Sequence, residues 1–310
     1  MLVATFLMVA RQVLVLFILM AIGAVANRTN LINQTVVKGM TNIVLYFVTP
    51  CVIMESFKRE MNSSLVRNLF ITLAFALAAH LIGILLATLC IHEENRQKEA
   101  VLRFATVFSN CGFMSLPIEE AILGADGVFY GAVFIAVFNV VQWTYGLALM
   151  SGGEEKITAR KLILNPGIIG VLLGILVFVF QIQFPEVIDE PMQFMADLNT
   201  PVPMLIIGFY LGNLRLTHFL HYKKQYLSVV LRLIVVPVLV LLLMLPFHVP
   251  TTVAVVCAIA SSAPTAAATA MFATKYDKDA QLGAQMVSIS TLFSLITIPL
   301  MVTVTQLLIH

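Results

Sequence analysis

Two short stretches hold the residue types from which an anion site can be built inside an apolar chain. Phe108-Ser109-Asn110-Cys111-Gly112-Phe113-Met114-Ser115-Leu116-Pro117 and Ala258-Ile259-Ala260-Ser261-Ser262-Ala263-Pro264-Thr265 each put a proline two residues after a serine, with small or polar residues before it. Proline lacks an N–H and its ring clashes with the preceding turn, so a helix is expected to break at each. In hydrocarbon such a break survives only where its freed backbone groups line a cavity or the protein interior. Proline also suits the first helical position, so Pro117 and Pro264 are each expected to open a half-helix. Two partly positive amino ends would then meet, with Asn110, Cys111, Gly112, Ser115, Ser261, Ser262 and Thr265 around a small carboxylate. A lone proline kink in a membrane helix is usually structural; two at matching positions point to a binding site.

Other polar residues in apolar surroundings admit two readings each. Asn139 and Gln142, three apart, share a helix face, where they complete a carboxylate site or bond across to a neighbouring helix. Glu119 and Glu120 follow the first break within a turn, and either is a candidate proton carrier, since a buried carboxylate is costly. Against both, adjacent helical residues point about 100° apart, and this end of the helix lies near water. Arg11 is expected to pair with Asp197 or else to attract anions into the vestibule, and Arg232 to snorkel to the membrane interface. His80 reads as a hydrogen-bonded interior histidine, and Ser288, Thr291 and Ser294 as a close-packing stripe.

The elements that position these residues follow from composition. The 310 residues are 60% hydrophobic and 11% charged, against about 25% charged in soluble domains. At about 20 residues per spanning helix there is room for nine or ten. The apolar runs place spans at 2–26, 36–57, 65–90, 100–124, 127–150, 163–183, 191–214, 225–247, 250–274 and 279–308. They are continuous over helical lengths, which excludes a barrel. The expected fold is therefore all-α, with ten transmembrane helices. One set of loops holds Arg28, Lys38, Arg96, Lys98, Arg103, Lys156, Arg160, Lys161, Arg215, Lys223, Lys224, Lys275 and Lys278; the other holds only Lys58, Arg59 and Arg67. The basic set is expected inside, with both termini outside. Pro50 and Pro117 in the first five spans match Pro201 and Pro264 in the second five. This divides the chain into repeats 1–150 and 163–310 joined by a linker, 151–162. An odd number of spans per repeat makes them inverted, the layout of secondary transporters.

Several classes drop out. A net charge of +2 with no basic run gives no nucleic-acid surface. Cys51, Cys90, Cys111 and Cys257 lie apart in apolar segments and read as buried thiols, not a disulfide frame or metal site. His92-Glu93-Glu94 is not a zinc motif, and His218 with His221 lacks further ligands. There is no nucleotide-binding loop and no paired nucleophile and base, so neither an enzyme nor a cofactor is expected.

Asn110-Cys111-Gly112-Phe113-Met114-Ser115-Leu116-Pro117, Gly124, Tyr130-Gly131, Asn139 and Trp143-Thr144-Tyr145-Gly146 resemble the auxin efflux carrier family in its bacterial branch. Asn165-Pro166-Gly167, Thr200-Pro201, Ile207-Gly208 and Ser290-Thr291-Leu292-Phe293-Ser294 extend the resemblance over the whole chain. The family includes plant PIN carriers and bacterial malate or malonate permeases. The resemblance implies a scaffold of spans 1, 2, 6 and 7, often dimeric, in the cell membrane. It also implies a transport domain of spans 3–5 and 8–10 that moves against the scaffold as an elevator. The crossed helix breaks would then hold a substrate carboxylate, with Asn110 at the first. Where plant members carry an asparagine at the second break, this chain has Ser261 and Ser262, and the pair Glu119-Glu120 also departs from the family pattern. The expectation is a secondary carrier of small organic anions such as malate, malonate or auxin-like acids, with protons as a candidate coupling ion. The rivals are a receptor on a carrier fold, which would need an output segment, and an anion channel, which would need a continuous polar stripe.

Overall fold

The computed structural model describes residues 2–155, 158, 165–212 and 222–309. Lys156, Arg160, Lys161, Arg215, His218 and His221, with half of the 151–162 linker, lie outside the described residues. Thirteen helices occur there: α1 (Leu2–Arg28), α2 (Gln34–Phe57), α3 (Ser63–Cys90), α4 (Arg96–Val107), α5 (Leu116–Leu123), α6 (Ala125–Ser151), α7 (Pro166–Phe180), α8 (Glu186–Asp197), α9 (Pro201–Gly212), α10 (Lys224–Phe247), α11 (Thr251–Ser262), α12 (Ala268–Lys275) and α13 (Ala280–Leu308). Seven stretches are long and apolar enough to cross a membrane: Val9–Arg28, α2, α3, α6, Glu186–Gly212, α10 and α13. Most bounds fall within two residues of the hydropathy-based spans. The expected spans 100–124 and 250–274 are not single helices: each is broken in its middle.

Local chemistry sets these limits. Asn33, Asn62, Asn95, Asn165 and Asp279 each cap a helix by accepting backbone N–H bonds. Gly124, at φ +63°, takes a conformation that disfavours side chains and turns α5 into α6. Among the described residues four wide π turns interrupt the helices, at Val44–Val48, Cys111–Ser115, Gln142–Gly146 and Leu231–Val235. Three of them precede a proline by two residues: Pro50, Pro117 and Pro237. The proline ring excludes the carbonyl four residues back, which belongs in each case to the π turn, and the wider turn relieves that clash.

Packing between helices relies on absent side chains. A Cβ on Gly208 would strike the Met20 carbonyl, and one on Gly23 the Leu205 backbone, so α1 and α9 touch backbone to backbone. The α7 glycines let α2 approach closely too: Gly170 meets the Pro50 backbone and the Ile53 side chain, and Gly174 the side chains of Ile53 and Phe57. Ion pairs gather at the two ends. Lys58 bonds Glu55 and Asp189, and Arg59 bonds Asp126, at one end; Glu93 bonds Tyr222 and Lys224, and Lys275 bonds Glu155, at the other.

Candidate functional site

The two helix breaks cross. α4 ends at Val107, and Phe108–Asn110 runs extended alongside Pro264–Ala266 as a single antiparallel bridge centred on Ser109 and Thr265. The Asn110 N–H donates to the Pro264 carbonyl (2.6 Å) and the Ala266 N–H to the Phe108 carbonyl (2.9 Å). Backbone groups freed by each break thus satisfy the other, which is what permits broken helices inside a membrane. The first break lies ahead of its proline: the new half-helix opens with the π turn at Cys111, and Pro117 sits one turn in. Pro264 lies within the second break, and its half-helix begins only at Ala268. The prolines therefore do not both open half-helices, because pairing of the extended strands, not ring geometry, sets where each helix stops.

Beyond the crossing lies a cavity of about 300 Å³, at the small end of the usual range for ligand sites. Asn110 and Gly112 line it from the first break, Ala266–Ala268 from the second, and Asn139 and Gln142 from α6. Asn110 Nδ2, Gln142 Oε1 and Trp143 Nε1 are buried without a protein partner. Phe113, Phe138, Met271 and Phe272 supply an apolar wall. Residues not expected from the sequence as binding residues complete it: Thr41, Asn42, Tyr46 and Thr49 of α2, Trp143 of α6, and Asn165 with Gly167 at the head of α7. Asn165 appeared in the sequence only within the Asn165-Pro166-Gly167 match, and Thr41, Asn42, Tyr46 and Thr49 of α2 carried no signal. The π turns are the shared signature, since Tyr46, Gly112, Gln142 and Arg232 each sit on one.

The remaining sequence-derived residues lie behind the crossing. Ser261 and Ser262 bond the Ala258 carbonyl within their own helix. Thr265 donates to the Ala105 carbonyl, and its N–H bonds Ser290 Oγ (2.9 Å). Cys111, Ser115 and Glu119 are buried outside the cavity lining, and Glu120 is exposed. Thr291 and Ser294 bond carbonyls of their own helix. His80 bonds the Ala76 carbonyl (2.7 Å) among phenylalanines.

Arg232 does not snorkel. It is 2% exposed, and its guanidinium donates to the carbonyls of Thr106 (3.2 Å), Val107 (2.9 Å) and Ser261. Those carbonyls close α4 and α11, so one cation caps both negative helix ends at the crossing. It is drawn inward because five donors on a planar fork satisfy carbonyls that would otherwise be orphaned. Arg11 is exposed and forms no ion pair with Asp197, so the expected pairing is corrected as well.

Three helix amino ends converge on the cavity: the Cys111 π turn leading into α5, α12, and α7 capped by Asn165. Among the described residues no charged side chain lines it. A family profile described as a membrane transport protein matches residues 8–302. The chain belongs to the auxin efflux carrier family. It is thus a multi-pass membrane transport protein. An uncharacterized transporter of Methanocaldococcus jannaschii is 25% identical over 298 residues, covering 93% of this chain and 96% of the relative. Another uncharacterized transporter, from Methanothermobacter thermautotrophicus, is 23% identical over 204 residues, 64% of this chain and 66% of its own.

Proposed function

We propose that the protein is a secondary carrier of small organic anions, bound by one carboxylate at the crossing. The observation that carries this reading is the electrostatics of the cavity. Three helix amino ends face it, Arg232 lies buried behind it, and among the described residues no carboxylate lines it. Unpartnered donors on Asn110 and Trp143 are available to the carboxylate, and the aromatic wall suits an apolar body.

The mechanism we favour is an elevator built on two inverted five-span repeats. Support comes from reciprocal packing: α1 meets α9 and α2 meets α7 through glycines, as two halves related by a twofold would. In this reading α1, α2 and α7–α9 form the scaffold, and α3–α6 and α10–α13 move with the crossing. The cavity lies between the two groups, with α2 and α7 contributing the scaffold side. Its lining takes in the middle of α6 and the leading turns of α12. The carrier is read as a homodimer of the cell membrane, paired through the scaffold.

Reconstitution into liposomes tests this. Saturable uptake of radiolabelled malate, or of another acid in a panel of mono- and dicarboxylates, is expected, with loss on Asn110→Ala. Counterflow separates a carrier from a channel, since only alternating access accelerates exchange. No uptake across the panel would sink the anion reading and favour a receptor.

A further inference from the structure

Glu119 is wholly buried (0% exposed), and neither of its carboxyl oxygens has a hydrogen-bond partner. The slot that holds it is made by missing side chains. A Cβ on Gly131 would occupy the position of Glu119 Oε2, and one on Gly127 would strike the Glu119 carbonyl. No cation faces it from the elements around it. From its own stretch and from α11 the neighbours are the Cys111 and Cys257 thiols. On α6, Asp126 is exposed and paired with Arg59, and the Tyr130 hydroxyl accepts from Asn68. Arg11 of α1 and the adjacent Glu120 are exposed, and Arg232 is engaged with backbone carbonyls. With no hydrogen-bond donor or cation in contact, the slot favours the neutral acid over the ionised one.

Along the chain, two further unpartnered polar side chains stand between it and the cavity. Ser115 lies one turn closer on the same helix face, and its hydroxyl too has no partner. Asn110 Nδ2, unpartnered as well, opens on the cavity itself. We propose that Glu119 is the coupling-proton site of the carrier, exchanging its proton with the cavity through Ser115. This rests on the anion-carrier reading above.

Charge balance supplies the coupling. Arg232 is a permanent charge inside the moving group of helices, and carrying net charge across hydrocarbon is costly. In the empty carrier an ionised Glu119 offsets Arg232 across the group without touching it. When a carboxylate binds, it takes over that role, and Glu119 must take up a proton. A proton therefore travels with the anion, in the same direction.

The test uses proteoliposomes and radiolabelled malate, with the membrane potential clamped at zero and a pH gradient imposed. Wild type is expected to accumulate malate along the proton gradient, Ser115→Ala to do so at a lower initial rate, and Glu119→Gln, which mimics the neutral acid, not at all. Counterflow is expected to persist in Glu119→Gln, with an unchanged thermal unfolding midpoint. Undiminished accumulation by Glu119→Gln would overturn the proposal. So would wild-type accumulation indifferent to the gradient while counterflow is intact, and the carrier reading would then stand. Absence of wild-type counterflow removes both readings. Should Glu119→Gln fail to fold, infrared spectroscopy of the wild type decides. A buried carboxylic-acid carbonyl band that disappears at alkaline pH supports the proposal, and its absence overturns it.

Discussion

Arg232 shows at the scale of a single residue how far type and position carry an argument. In the sequence it is a cation near a helix end, for which snorkelling is the ordinary outcome. The structure turns it inward, because its fork reaches carbonyls from two helices distant in sequence, and no local pattern encodes that meeting. Lysine keeps the charge but not the fork. Arg232→Lys is expected to orphan at least one buried carbonyl, at about 1–3 kcal/mol each, and to lower the thermal unfolding midpoint in detergent. Asn110, Asn139 and Gln142 stood out in the sequence as candidates, since polar amides in apolar runs are conspicuous, and all three line the cavity. Ser261, Ser262 and Thr265 were equally conspicuous, yet their hydroxyls bond backbone carbonyls. Residue type alone does not separate a hydroxyl that serves a ligand from one that serves a helix end.

Among the elements, the proline signal was sound and its interpretation incomplete. Prolines mark where helices depart from regularity, and Pro50, Pro117 and Pro237 each follow a π turn. The turns rotate neighbouring side chains, which is how Tyr46 and Arg232 come to face the crossing region. Pro237→Ala restores a backbone donor and removes the clash. It is expected to let α10 relax, shift Arg232 and reduce uptake, while the unfolding midpoint holds or rises. Both readouts come from one purified preparation. The loop after α3 offers a pH-dependent counterpart. The Tyr222 hydroxyl and the Lys224 ammonium hold the Glu93 carboxyl below the usual carboxylate range. A depressed carboxylate stabilises above its unfolded value and loses that contribution as pH falls through its lowered one. Hydrogen exchange over residues 91–95 is therefore expected to quicken only under strong acid, and at milder acidity in Tyr222→Phe.

For the molecule as a whole, composition and hydropathy were decisive about class, and all seven long spans begin or end within two residues of where the apolar runs do. What they could not supply is the crossing, because two extended tripeptides are too short to leave a pattern. The distribution of Lys and Arg makes an orientation testable. A single cysteine at Asp126 is expected to react with an impermeant maleimide from outside intact cells. One at Glu154 is expected to react only after permeabilisation. The reverse pattern would invert the molecule, and with it the direction in which the cavity faces.

During synthesis the first half of the chain emerges with nothing to complete it. The carbonyls of Thr106 and Val107 await Arg232, the Phe108 carbonyl awaits the Ala266 amide, and the Asn110 amide awaits the Pro264 carbonyl. Until α10 and α11 enter the bilayer, the gap between α4 and α5 is a run of bare backbone groups held in hydrocarbon or against leaking water. The crossing is therefore a late joint in assembly. A chain arrested before residue 232 carries its defect at the very place the finished protein uses.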